Sequence, residues 1–218
     1  TKAIPETASE TQGPAPTVLH RGSALEVMRW PLTERVNILL DTEALYIERG
    51  ALLAMIRGGE RELALPLLEI TEVIFADDGQ SVTFRVSPDR EVTLNGDEAV
   101  RIGAMLWALG VPGRPTPATK DELVSDSGVR INQPVDATGT LVVGPLGIAF
   151  APSGLFRQLV GGEALRIEGP SVGGAWLDPK DKNTLAVQHG NATHRFRVPE
   201  AAALLQALRQ TMSRGEEE

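Results

Sequence analysis

Cysteine is absent from the 218-residue chain, and aromatic residues make up only 4% of it. Without cysteine there is no disulfide, no thiolate metal site and no cysteine nucleophile. No run approaches the ~18 consecutive apolar residues of a membrane-spanning helix. With 42% hydrophobic and 23% charged residues, the composition is that of a globular protein with an aliphatic core. We expect a cytoplasmic protein, and the preference for Arg over Lys indicates a bacterial source.

The net charge of −8 argues against the basic surface that nucleic-acid binding requires. Its distribution is uneven. Residues 21–110 carry 9 Arg and 15 Asp or Glu, whereas residues 135–214 carry 8 Lys or Arg and 6 Asp or Glu. The two halves therefore differ in sign. Either surface charge has drifted, or the acidic half binds or repels something that the other half does not.

Composition divides the chain into five parts. The N-terminal residues are rich in Thr, Pro, Glu and Ser, and four prolines fall in the middle of the chain, which predicts a linker with one helical turn near Asp121–Val124. The predicted parts are a disordered tail at 1–20, a first domain at 21–110, the linker at 111–134, a second domain at 135–214 and an acidic tail at 215–218.

The first domain reads as short strands followed by one helix. The strand-like runs are RVNILLD, ALYIERG, RELALPL, EITEVIFA, SVTFRVS and EVTLN. In SVTFRV, apolar and polar residues alternate, as in a half-buried antiparallel strand. The period then changes in GDEAVRIGAMLWALG, where Asp97 is predicted to cap a helix that ends at Gly110. Strands first and one helix last predict a mainly β domain closed by a C-terminal helix.

The second domain repeats this order. Its strand-like runs are GTLVVG, GIAFA, EALRIEG, GGAWLD, NTLAVQH and THRFRV, and PEAAALLQALRQTM reads as the closing helix. A shift of 103 to 104 residues pairs several landmarks: Leu39 with Val142, Leu45 with Ile148, Gly58-Gly59-Glu60 with Gly161-Gly162-Glu163, Leu94 with Val198, and Ala99 with Ala203. We predict an internal duplication. Because strand residues follow both Gly-Gly pairs, each pair is interpreted as a corner of the chain and not as a phosphate loop.

The stretch LALPLLEITEVIFADDGQSVTFRVSPDREVTLNGDEAVRIGAML resembles the core of bacterial pleckstrin-homology-like and GRAM domains. TGTLVVGPLGIAFAPSG is similar to the opening hairpin of a GRAM domain. The resemblance implies two tandem, strongly bent β-sandwiches or barrels, each closed at one end by its last helix. A lipocalin-like or other small barrel is the main structural alternative.

Residues for catalysis or metal binding are few. Most acidic residues fall at turns or outward strand positions, and no nucleophile elbow, phosphate loop or dinucleotide fingerprint is present. His189 and His194 flank a predicted hairpin turn and could face each other, but no third ligand is evident. We predict that they are surface residues. We also expect no enzyme activity, no metal and no cofactor.

Phosphoinositide binding is disfavoured by the two hairpin turns that would grip a headgroup. One turn is acidic, at Asp41–Ala44, and the other is neutral, at Gly144–Gly147, so anionic lipid gains little from either. Arg195 and Arg197 alternate on one strand of the second domain and form a thin basic patch.

Two apolar segments precede the Gly-Gly pairs. The first contains Leu52, Leu53 and Met55, and the second contains Leu155, Phe156, Arg157 and Leu159. One interpretation is that they plug the end of each sandwich or form the contact between the repeats. The other is that they form a partner-docking or membrane-touching edge.

The leading hypothesis is a non-enzymatic adaptor that presents a sheet edge, or the groove beside each final helix, to a protein partner. The candidate partner-binding residues are Leu52, Leu53, Met55, Leu155, Phe156, Arg157, Leu159, Arg195 and Arg197. The alternatives are a peripheral membrane module at the inner membrane face and a binder of a small apolar ligand.

Overall fold

The computed structural model describes residues 16–29, 32–56, 58–77, 79–87, 90–131, 135–154 and 164–214. Within these residues the chain forms fourteen strands and three α-helices, and the strands make two seven-stranded sheets. The prediction of a mainly β chain in two parts is therefore confirmed.

Unit 1 contains the first sheet. Its strands are β1 Val18–Arg29, β2 Leu32–Asp41, β3 Ala44–Glu48, β4 Glu62–Pro66, β5 Glu72–Phe75, β6 Ser81–Ser87 and β7 Arg90–Asn95. Helix α1, Ala51–Ile56, joins β3 to β4, and helix α2, Asp97–Ala108, follows β7. In β2 the alternate residues Val36, Ile38 and Leu40 are buried, because alternate side chains of a strand point to one face.

Unit 2 contains the second sheet. Its strands are β8 Val124–Ile131, β9 Ala137–Val143, β10 Gly147–Pro152, β11 Leu165–Glu168, β12 Val172–Asp178, β13 Asp181–His189 and β14 Ala192–Arg197. Helix α3, Ala201–Arg214, follows β14. The strand order is β11-β10-β9-β8-β14-β13-β12, and unit 1 has the same order, β4-β3-β2-β1-β7-β6-β5. The predicted repetition of strands and closing helix is present in the structure.

Counterpart residues in the two units follow from the strand pairing. The β2–β3 hairpin pairs Leu40 with Leu45, and the β9–β10 hairpin pairs Val143 with Ile148. An offset of 103 residues therefore relates these two hairpins. The predicted pairs Leu39–Val142 and Leu45–Ile148 are correct.

The same ladder corrects the end of the predicted repeat. Working outward from β2 and β9, Glu26 of β1 corresponds to Arg130 of β8. Leu94 lies opposite Glu26, and Phe196 lies opposite Arg130. The counterpart of Leu94 is thus Phe196, and the predicted partner Val198 is wrong by two residues.

The closing helices keep this second offset. Their buried residues coincide when α3 is shifted by 102 residues, and the matched pairs are Ala99 with Ala201, Ile102 with Leu204, and Leu106 with Leu208. The predicted pair Ala99–Ala203 is also wrong by two residues, because the offset falls from 103 to 102 where the connection from β3 to β4 is one residue longer than that from β10 to β11.

Two predicted boundaries need correction. Unit 1 begins at Val18, inside the predicted tail of 1–20, and unit 2 begins at Val124, inside the predicted linker of 111–134. Strand β8 lacks apolar alternation because some of its side chains contact other elements instead of filling the core. Asp126, for example, accepts the backbone N–H of Glu200 at 2.8 Å, where α3 begins.

The segment between the units is held in place by Arg114. Its guanidinium donates to the carbonyl oxygens of Leu109 and Pro117, both at 2.9 Å, and pairs with Glu122. A short 3-10 turn spans Lys120–Glu122, close to the helical turn expected there.

Two hydrophobic clusters form the core. The cluster of unit 1 also includes Val142, Ala149 and Ala151, which belong to β9 and β10 of unit 2. The cluster of unit 2 uses the opposite face of the same strands, through residues such as Leu141 and Phe150. The outer face of β9–β10 is therefore a contact surface between the units.

Gly58 and Gly59 turn the chain from α1 into β4. Their φ angles of 83° and 95° lie in the left-handed region that favours glycine. The N–H of Gly59 donates to the carbonyl of Ala54 at 2.6 Å and ends the helix. The second predicted corner, Gly161-Gly162-Glu163, lies outside the described residues.

No helix within the described part of the chain has the length and apolar character needed to span a membrane.

Candidate docking groove beside the last helix

Helix α2 lies between its own sheet and the outer face of β9–β10. The N–H of Leu146 donates to the carbonyl of Ala108 at 2.9 Å, at the C-terminal end of the helix. At the other end, the N–H of Gly154 donates to Oδ2 of Asp97 at 2.9 Å. Asp97 was predicted to cap α2, but Gly96 occupies the cap position and the Asp97 carboxylate contacts unit 2 instead.

Small residues allow this contact to be close. A Cβ atom on Gly144 would lie 2.4 Å from the carbonyl oxygen of Ala108 and 3.1 Å from its Cβ. The facing residues Ala149 and Ala151 are buried, and so is Ala104 of α2. Beside the helix, the guanidinium carbon of Arg166 lies 4.4 Å from the ring centre of Phe75, a cation–π contact between the units.

The helix of unit 2 carries an open groove in the corresponding place. This α3–β12 groove has a volume of about 490 Å³ and is lined by Leu177, Ala202, Leu205, Gln206, Arg209 and Gln210. Leu177 and Leu205 supply apolar surface, and Arg209 supplies a positive charge. Strand β12 is the last in the order of its sheet, so its backbone forms an edge.

Three of the groove residues have counterparts in unit 1 that are covered. Leu177 corresponds to Phe75, which lies under Arg166. Gln206 and Gln210 correspond to Ala104 and Ala108 by the offset of the helices, and both alanines are completely buried. Unit 2 thus occupies on unit 1 the surface that stays open on unit 2.

A second open surface lies on unit 1. The β2–β4 face is the outer surface of strands β2, β3 and β4 together with the start of β1. It holds a groove of about 630 Å³. Its lining includes Arg21, Asn37, Leu39, Tyr46, Glu48 and Glu62, with Asp41 at one end. Through the strand pairing it corresponds to the outer face of β9–β10, which contacts α2.

The electrostatic character of the β2–β4 face is acidic. Burial raises the pKa of the Tyr46 hydroxyl, and three neighbouring carboxylates raise it further, those of Asp41, Glu43 and Glu62. Oδ1 of Asp41 also accepts the backbone N–H groups of Glu43 and Ala44, both at 2.8 Å, which fixes the turn between β2 and β3.

The apolar segment of unit 1 is exposed on α1. Leu52 is 60% exposed and Met55 is 72% exposed, so neither side chain plugs the end of the sandwich. The Leu53 side chain lies outside the described part of the structure. The same holds for Leu155, Phe156, Arg157 and Leu159, the predicted site residues of the second segment.

Arg195 and Arg197 are exposed on β14, away from both grooves. Nε of Arg197 lies 3.3 Å from Oδ2 of Asp181. The residues of the α3–β12 groove were not singled out from the sequence, although a groove beside the last helix was. Their exposure depends on which helix the other unit covers, and no local sequence pattern records that.

The two histidines of the β13–β14 hairpin lie near each other, with ring centres 6.3 Å apart. Burial lowers the pKa of His194, and the positive charges of Arg130 and His189 lower it further. Among the described residues there is no cluster of three or more His, Cys, Asp or Glu side chains that could hold a metal ion.

Comparison with known proteins yields little. No family model matches the chain, and no curated protein matches it. A solved structure described as the C-terminal domain of an unknown protein from Leishmania infantum is similar to part of it, with 14% sequence identity and a TM-score of 0.34. That similarity covers 41% of this chain and 82% of the other, and a TM-score of this size supports no inference about function.

Proposed function

We propose that the protein is a non-enzymatic cytoplasmic adaptor made of two tandem pleckstrin-homology-like domains, and that its α3–β12 groove binds a protein partner. Each unit has seven antiparallel strands in the same order and a helix that follows the last strand. This arrangement supports the resemblance on which the domain assignment rests.

One observation carries the proposal: the surface that corresponds to the groove is already occupied by protein in unit 1. There, β9–β11 of unit 2 cover α2 and the end of β5. The surface beside a closing helix is therefore suited to protein contact in this fold. In unit 2 the half-buried side chain of Leu177 lines the equivalent surface and gains free energy when a partner removes it from water.

Photo-crosslinking from the groove tests the proposal. A photoreactive residue is placed at Gln206 in the groove, and in a matched control at Gln188, which is exposed on β13. We expect a defined covalent protein adduct from position 206 in a lysate of the source cells, and none from position 188. Ala202→Glu should abolish the adduct by placing a charge against the apolar wall.

If both positions gave the same adducts, or if Ala202→Glu left the adduct unchanged, the groove would not be the docking site. A thermal unfolding curve of each variant shows whether the fold is preserved, so that loss of an adduct is attributable to the groove.

A peripheral membrane module is the second candidate, and the exposed apolar side chains of α1 favour it. Leu52, Met55 and Ile56 are each more than half exposed. A single short apolar turn holds a bilayer only weakly, so this function would need a second contact. Arg195 and Arg197 could supply it to anionic lipid.

Co-sedimentation with anionic phosphatidylserine liposomes separates the two candidates. For the adaptor we expect little binding, and no change in Leu52→Ser with Met55→Ser or in Arg195→Glu with Arg197→Glu. Strong binding that salt and these substitutions reduce would replace the adaptor by the membrane module.

A further inference from the structure

Two open surfaces of the described structure correspond to the two halves of its internal contact. Inside the chain, the surface beside α2 meets the outer face of β9–β10. The α3–β12 groove is the counterpart of the first surface, and the β2–β4 face is the counterpart of the second. Each molecule therefore exposes one surface of each kind, in addition to the covered contact between its own two units.

The paired residues show how the open halves differ from the covered ones. On the sheet side, Tyr46 takes the place of Ala149 and Glu48 that of Ala151. On the helix side, Gln206 and Gln210 replace Ala104 and Ala108. Small apolar residues in the covered contact thus become larger polar ones in the open surfaces.

The charges of the open surfaces are complementary. The β2–β4 face carries Asp41, Glu48 and Glu62 against Arg21, whereas the described lining of the α3–β12 groove carries Arg209. The wider sequence follows the same division, since residues 21–110 have an acidic excess and residues 135–214 a basic one. Opposite charge attracts the two surfaces of different molecules at long range.

We propose that the partner of the α3–β12 groove is a second copy of this chain, which docks by its β2–β4 face. The proposal rests on the proposed function of the groove and names its occupant. The contact is head-to-tail, so each molecule retains one open surface and further copies can add.

This contact is wider than the internal one. Asp41 stands where unit 2 has Gly144, and a Cβ at Gly144 would already lie 2.4 Å from the helix carbonyl. A helix therefore cannot approach Asp41 as closely, and the longer side chains of Gln206 and Gln210 span the added distance. Such a polar contact is weaker than the internal one and sensitive to salt.

Sedimentation velocity of the full chain tests the proposal over a wide concentration range at low and at high salt. We expect concentration-dependent association at low salt and at least about tenfold weaker association at high salt, since the screening length falls from ~10 Å at 0.1 M to ~3 Å at 1 M. Arg209→Glu should weaken association about tenfold or more, and so should Glu48→Arg with Glu62→Arg.

Matched controls change the same charges elsewhere. Lys182→Glu and Glu69→Arg lie at exposed positions outside both surfaces and should associate like the unmodified chain. Mixing the Arg209→Glu protein with the Glu48→Arg, Glu62→Arg protein should restore association, because each then offers a surface that complements the other. Restoration also shows that both variants are folded.

A chain that stays monomeric at low salt and at its highest concentration overturns this proposal. So does association that the two surface variants leave unchanged. The proposed function is judged separately by the Gln206 crosslink. An adduct of about twice the 23.3 kDa chain mass identifies a second copy, whereas an adduct with another protein retains the groove as a docking site and rejects this occupant.

Discussion

At the scale of single residues, two buried charged side chains of unit 1, Glu26 and Arg49, form an ion pair. Arg49 Nε donates to Glu26 Oε2 at 2.8 Å, and Arg49 Nη2 donates to Oε1 at 2.9 Å. Glu26 is completely buried and Arg49 nearly so. A bidentate pair in such a place fixes the end of β3 against β1 and orients both side chains.

Arg49→Met removes this partner from a buried carboxylate. We expect the free energy of unfolding to fall by about 3–5 kcal/mol, because a buried charge that loses its counterion is costly. Urea unfolding measures the change. The matched control is Arg85→Met, whose pairs with Glu72 and Glu91 are partly exposed and should contribute ~1 kcal/mol or less. Equal losses in the two variants would contradict the assignment.

His194 gives stability a dependence on pH. Burial lowers the pKa of His194 in the folded protein, and the positive charges of Arg130 and His189 lower it further. The unfolded chain then binds a proton more readily, so stability is greatest at higher pH and falls as the pH drops through the ordinary histidine pKa of about 6.5.

The test is urea unfolding of the unmodified chain and of His194→Gln at about pH 7.5 and about pH 5.5, on either side of that pKa. We expect a smaller loss of stability in the variant. An equal loss of stability between the two pH values in both proteins would show that His194 does not contribute to the pH dependence. Glu98 affects stability at more acidic pH. Burial alone would raise its pKa, but its contacts with His20 and Arg101 lower the pKa overall. Its contribution to stability is therefore lost only below the ordinary Glu pKa of about 4.3.

At the scale of elements, α2 differs from α3 because it is covered on two sides. An ordinary surface helix buries one stripe of residues, and α3 does so. In α2 the second face is buried too, at Ala104 and Ala108, against the outer face of β9–β10. Close approach depends on Gly144, which has no side chain to separate helix and sheet.

Gly144→Ala is expected to destabilise the protein by about 1–3 kcal/mol, since the added methyl group overlaps the Ala108 carbonyl and forces the helix from the sheet. Gly173→Ala is the matched control, because a Cβ there meets its nearest atom at 3.7 Å, an ordinary contact. Urea unfolding compares them. A loss in the control as large as in Gly144→Ala would show that the loss comes from replacing a glycine as such and not from the helix contact.

The elements that sequence reasoning found and missed differ for a physical reason. Strands such as β6 have alternating apolar residues because one face is buried, and these were predicted. Strands β1 and β8 were missed because they contain residues that serve contacts with other segments. Gly22 and Gly128 leave room for closely packed neighbouring residues, and Asp126 contacts the start of α3. Side chains that serve helix contacts leave no alternation to read.

The candidate site was predictable only in outline. A groove beside each final helix followed from the expected fold, but the sequence could not tell that one of the two is covered. That depends on small residues far apart in the chain, such as Ala108 and Gly144, which meet only when the units are assembled. The register of the repeat was recovered for the first hairpins and lost after them, because the connection from β3 to β4 is one residue longer than that from β10 to β11.

At the scale of the whole molecule, the two units share part of one core. Val142, Ala149 and Ala151 of unit 2 belong to the hydrophobic cluster of unit 1, and Arg114 fixes the segment that joins the units. Unfolding either unit alone would expose this apolar contact to water. The structure therefore predicts that the units unfold together, as one cooperative transition.

Tryptophan fluorescence can follow each unit separately, because Trp107 belongs to α2 and Trp176 to β12. Two variants each keep one reporter: Trp30→Phe with Trp176→Phe retains Trp107, and Trp30→Phe with Trp107→Phe retains Trp176. We expect the two reporters to give the same urea midpoint and slope within error. Introducing Gly144→Ala into both should separate the midpoints, since it weakens the shared contact. Distinct midpoints without that substitution would mean that the contact contributes too little to couple the units, and the surface beside α2 would then be uncovered transiently.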